Sequence, residues 1–123
     1  MISLLCVLGL QCQSAPAWAK DACDPVARSS AACDGQASQI LARPAKMVLQ
    51  HPIVAPLGYQ QSYWDTKLGQ IIVMEKEGAP VQCSTSVRLF GTWQSRVGPC
   101  DASAQNRNQY CGMAITVKKF ICL

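Results

Sequence analysis

Eight cysteines and one histidine are the residues of this chain with the most chemistry to offer. Any Ser-His-Asp or Cys-His arrangement must be built on His51, which stands directly before Pro52. A lone histidine beside a proline at a strand end reads as a surface turn residue rather than a general base. Structural zinc sites draw on short pairs such as C-x2-C, whereas nine residues separate Cys23 from Cys33 and ten separate Cys100 from Cys111. Glu75 and Glu77 flank Lys76 in what reads as a solvated turn. A glycosidase-type pair needs two acids facing one cleft, and no spacing here selects such a pair. The chain has neither a phosphate-binding glycine loop nor an H-E-x-x-H helix. The expectation is a protein that is not an enzyme and holds no metal or cofactor.

The cysteines point instead to a compartment. Residues 2–10 (ISLLCVLGL) form an apolar run, too short for a membrane-spanning helix of roughly 20 residues. Polar residues follow, and then Ala17-Trp18-Ala19, a small-x-small pattern of the kind signal peptidase cuts. Residues 1–19 are therefore expected to be a signal peptide, although no Lys or Arg precedes the apolar run. Removing them takes away Cys6 and Cys12 and leaves Cys23, Cys33, Cys83, Cys100, Cys111 and Cys122. An even number of cysteines in an exported chain implies a disulfide framework. Of the fifteen possible connectivities, two local pairs suit the spacing, Cys23 with Cys33 and Cys100 with Cys111, which would leave Cys83 with Cys122. The mature chain is expected to be periplasmic or secreted, with no membrane span.

Composition narrows the partners. Half of the residues are apolar and 15% are charged, with eleven Lys and Arg against seven Asp and Glu for a net charge of +4. Such a chain can form a packed core. It is too weakly basic for phosphate-driven nucleic-acid binding.

The elements that must position these residues are mostly short strands. Residues 20–44 are rich in Ala, Ser and Asp and read as an irregular disulfide-tied segment, with at most a helical turn at 38–41 stopped by Pro44. Residues 45–123 read as the folded domain. Strands are expected at 47–50 and at 61–68, where Trp64, Thr66 and Leu68 share a face opposite Tyr63, Asp65 and Lys67. Further strands are expected at 70–75, joined to the previous one by a hairpin through Gly69, and at 87–93, with Val87, Leu89 and Trp93 on one face. A long polar loop spans 95–109. The last strand, from Met113, puts Met113, Ile115 and Val117 inward until Lys118-Lys119 breaks the phase and predicts a bulge. Five strands and almost no helix predict an all-β fold, a small antiparallel barrel or sandwich.

The order Tyr63-Trp64-x-x-x-Leu68, a polar break, Val87-x-Leu89-x-Gly91-Thr92, a long loop and Ile115-x-Val117 resembles small exported OB-fold-like domains of Gram-negative bacteria. Those domains are catalogued mainly as domains of unknown function. The resemblance covers roughly residues 45–123, by the strand pattern of an OB-fold. It implies a five-stranded OB-like barrel, and a fold more than a function.

OB-folds bind ligands on one face and its surrounding loops, with aromatic and basic residues. The candidates are Tyr59, Tyr63, Arg88, Phe90, Trp93, Arg96, Arg107 and Tyr110. By alternation Tyr63, Arg88 and Phe90 should form an outward face beside the 95–109 loop, with Arg96 and Arg107 contributing charge. The function expected is that of a non-catalytic binding module for a cell-envelope polymer or a protein. The alternative is an inhibitor or toxin-associated subunit that acts on a secreted enzyme through that loop.

Overall fold

The computed structural model describes residues 21–100 and 110–123. The expected signal peptide, Arg107 and most of the 95–109 loop lie outside the described residues. Five strands are present among the described residues: β1 (Ala37–Pro44), β2 (Tyr59–Thr66), β3 (Gly69–Lys76), β4 (Val87–Val97) and β5 (Gly112–Cys122). Their order is β1-β2-β3-β5-β4, and β4 pairs back onto β1, so the sheet closes on itself.

Alternation explains the interior. Val87, Leu89 and Trp93 of β4 join Ile40 of β1, Trp64 of β2, Ile71 and Val73 of β3 and Ile115 of β5 in one buried cluster. Inward glycine at position 91 is a steric requirement, because a Cβ there would run into the Thr116 carbonyl oxygen and the Val117 Cα of β5. Opposite it lies the bulge that the Lys118-Lys119 phase break predicts: Phe90 pairs with Lys119 and Gly91 with Val117.

Disulfides join Cys23 to Cys33, Cys83 to Cys122 and Cys100 to Cys111, as the spacing suggested. The segment before β1 packs on β4. Trp93 donates its indole N–H to the carbonyl and hydroxyl oxygens of Ser30 (3.0 and 3.2 Å), and Asp34 accepts from the N–H and hydroxyl of Ser95 (2.7 and 3.0 Å).

The structure corrects four expectations. Residues 37–44 form β1 rather than an irregular segment or helical turn: Ser38, Ile40 and Ala42 are buried in alternation, and Pro44 takes the strand end, where its missing N–H is harmless. Residues 47–50 are not a strand; they belong to the β1–β2 connection, and Met47, Val48 and Leu49 are exposed. The loop after β4 begins at Gly98, since β4 continues through Val97 with a second register shift against β5. Nor is the sheet wholly antiparallel. β3 and β5 run parallel, because β4 lies on the far side of β5 and returns the chain in the direction of β3.

Candidate functional site

The β1–β2 connection, residues 45–58, holds no carboxylate and is fastened across the outer face of the sheet by two glutamines. Gln70 of β3 accepts the N–H groups of Leu49 and Gln50 (2.8 and 3.0 Å) and donates to the Met47 carbonyl (2.7 Å). Gln61 of β2 accepts the Ile53 N–H (3.0 Å) and donates to the Ile53 carbonyl (2.6 Å). The two side chains thus satisfy backbone groups that a neighbouring strand would otherwise engage. Beneath the connection a second apolar layer forms, with Ile72, Met74, Val97 and Ala114 buried and Ile53, Ala55, Tyr59 and Tyr63 packed on them.

This connection also clasps the ends of the β4–β5 connection. His51 stacks on Tyr110 with ring centroids 4.0 Å apart and planes 9° apart. A Cβ on Gly98 would collide with the Tyr110 carbonyl oxygen and crowd Ile53, and one on Gly112 would lie 2.7 Å from the Gln50 side chain. Both glycines therefore mark a close approach of the two connections.

Between them lies an open cleft of about 800 Å³. Pro52, Ile53, Val54 and Pro56 form one wall, Arg96, Val97, Gly98 and Pro99 the other, and Met74, Gln94 and Thr116 the floor. Val54 is 95% exposed at the rim, and Leu57 nearby is 102% exposed. Arg96 donates from Nη2 to the Cys100 carbonyl (2.7 Å), which sets its guanidinium against the disulfide-tied base of the loop. The lining is aliphatic and proline-rich, with one cation and two neutral polar side chains. It suits an apolar segment that carries a carboxylate.

The expected contact residues are not brought together. Arg96 lines the cleft. Tyr63 faces outward as alternation predicted, but it lies in the layer beneath the connection and donates to Gln61 (3.3 Å). Desolvation by that burial raises the Tyr63 pKa above its usual value of 10.0. Phe90 is only 6% exposed. Arg88 contacts Gln39 of β1 (3.3 Å) and opens on a different cavity beside Leu41, Arg43 and Asp65. Trp93 is core.

The proline-aliphatic wall escaped sequence reasoning, because it sits in the loop expected after residues 47–50, and aliphatics and prolines there carry no chemical signature. Glu75, read as part of a solvated turn, is 4% exposed. Its carboxylate accepts from Gln60 (3.0 Å), Ser62 (3.1 Å) and the Val81 N–H (2.9 Å), and Ser62 in turn accepts from the Trp64 indole (3.0 Å). This carboxylate fastens the 77–86 connection, through Val81, over one end of the interior. No family model matches the chain, and no curated protein is significantly similar to it.

Proposed function

We propose that the protein is an exported, non-catalytic binding module on an OB-like barrel, and that its cleft takes an extended segment of a protein partner. The cyclic strand order 1-2-3-5-4, with β3 and β5 parallel, supports the OB-like assignment. Three disulfides among the described residues support the oxidising compartment. No helix among the described residues is long and apolar enough to cross a membrane.

The observation that carries the reading is the cleft itself, placed between the β1–β2 and β4–β5 connections, where the OB-fold presents ligands. Saccharides and single-stranded nucleic acid are gripped by stacking on aromatic rings. Prolines and aliphatics dominate these walls instead, with Arg96 to pair an acidic residue. A peptide library displayed on phage and panned against the protein should enrich sequences that combine apolar residues with Asp or Glu. The enriched peptides should lose binding to Val54→Asp, which alters an exposed rim position, and to Arg96→Glu. Enrichment that is indifferent to both variants would overturn the reading.

The disulfide between Cys100 and Cys111 favours a second reading, an inhibitor that presents the loop it closes. That reading requires the same loop, excised as a cyclic peptide, to bind the target enzyme.

A further inference from the structure

Val117 and Phe120 of β5 both pack on the interior cluster, and the two residues between them, Lys118 and Lys119, are both exposed. A regular strand sends neighbouring side chains to opposite faces, so one of these lysines would have to enter the core. The bulge removes that conflict. With Phe90 paired to Lys119 and Gly91 to Val117, Lys118 is the extra residue and both lysines stay outside.

They also converge. Lys118 and Lys119 line one cavity of about 510 Å³ together with Lys76 from the end of β3. Lys76 lies two residues beyond Met74 and Lys118 two beyond Thr116, and Met74 and Thr116 are partners in the parallel β3–β5 pair. Among the described residues, no ion pair engages the Lys76 or Lys118 ammonium. Glu75 also lines the cavity, but both its carboxylate oxygens already accept hydrogen bonds from Gln60, Ser62 and Val81. Two half-buried aromatic rings, Tyr59 and Phe120, complete the walls.

We propose that this cavity is a second binding site, for an anionic saccharide: a sugar ring that carries phosphate, sulfate or carboxylate groups. Lys76 and Lys118 meet the charges as mobile point donors, which tolerate varied anion positions better than a rigid guanidinium fork, and Lys119 adds its charge beside them. Tyr59 and Phe120 supply the apolar surface against which a sugar ring packs. The site does not depend on the peptide cleft and can fail separately.

The test is calorimetric titration at low ionic strength with a heparin-derived hexasaccharide. Inorganic pyrophosphate, neutral dextran and an oligothymidylate serve as comparison probes. The hexasaccharide should bind saturably and more tightly than all three. Lys118→Ala with Lys119→Ala should weaken it by about tenfold or more, Lys76→Ala should weaken it less, and Arg96→Glu should leave it unchanged. All of these positions are exposed or at a cleft wall, and an unchanged thermal midpoint checks each fold; Lys76→Ala stands outside the bulge and keeps the test open if the double variant misfolds. Absence of saturable binding, equal affinity for pyrophosphate or the oligothymidylate, or full affinity in both lysine variants would overturn the proposal.

Discussion

The molecule has two apolar layers, and they were built by different rules. The interior cluster is enclosed chiefly by the sheet, with Cys23, Cys33 and Val81 added from the flanking segments: strands from all sides point alternate residues inward, and Trp93, Leu89, Ile71 and Ile115 are fully buried there. The outer layer exists only because residues 45–58 are drawn across β2, β3 and β5. One layer is closed by backbone pairing and the other by side-chain amides. Where both layers meet, on β3, Ile71, Ile72, Val73 and Met74 are buried in succession. A strand covered on both faces reads as a continuous apolar run rather than as an alternation. The contrast shows how a small closed sheet adds a second apolar layer without surrendering its core: the wall of the cleft belongs to the layer that a connection covers.

Three substitutions test this contrast. Trp93→Ala empties the interior and breaks the indole bond to Ser30; it should cost about 3–5 kcal/mol in denaturant unfolding, with a single cooperative transition. A smaller loss would mean that the interior is not the principal source of stability. Ile53→Ala removes a half-buried residue that touches only the outer layer and should cost roughly 1–2 kcal/mol, below the range for fully buried aliphatics. Its distinctive outcome is faster amide hydrogen exchange in residues 45–58 with the interior strands unchanged. If exchange rises equally in both layers, they are one cooperative unit.

The smallest effect is expected at Tyr63. Its pKa is raised in the folded state by desolvation, so the native state holds the proton more firmly than the unfolded chain does. The stability this contributes is fully present below the unfolded value of 10.0 and is lost as the pH rises through the folded value. Tyr63→Phe should therefore flatten the decline in thermal midpoint above pH 10 relative to the unsubstituted protein. An unaltered alkaline profile would place Tyr63 in water and leave the outer layer incomplete.

Legibility in the sequence followed the same division. The β4 face was readable because Val87, Leu89 and Trp93 fall at alternate positions with the half-exposed Arg88 and Thr92 on the opposite face, and Lys118-Lys119 disclosed the β5 bulge because two charges cannot occupy consecutive positions of a regular half-buried strand. Strand β1 was hidden by its composition: Ala, Ser and Gln are weak strand formers, and its inward residues include the small Ser38 and Ala42. Residues 47–50 erred in the opposite direction, since Met47, Val48 and Leu49 have strand-like character but lie in a connection held by Gln70. The five-strand total was right with one wrong member. For the expected contact face, alternation turned Tyr63 outward but could not reveal that residues 45–58 cover it. Phe90 shows the same limit, because an outward position on a strand is not an exposed one.

The bond between Cys83 and Cys122 has a consequence for the history of each molecule. The other two bridges close loops of sequence separation 10 and 11, whereas this one spans 39 residues and joins the 77–86 connection to the last residue of β5. Local loops can close in a chain that has not yet folded, at little entropic cost. Cys83 and Cys122 are brought together by the pairing of β4 with β5, in which Val87 stands opposite Cys122, and by the docking of Val81 on Glu75. Their oxidation is thus a timestamp of completed assembly. Once written, it keeps the C-terminal strand from peeling away from the 77–86 connection.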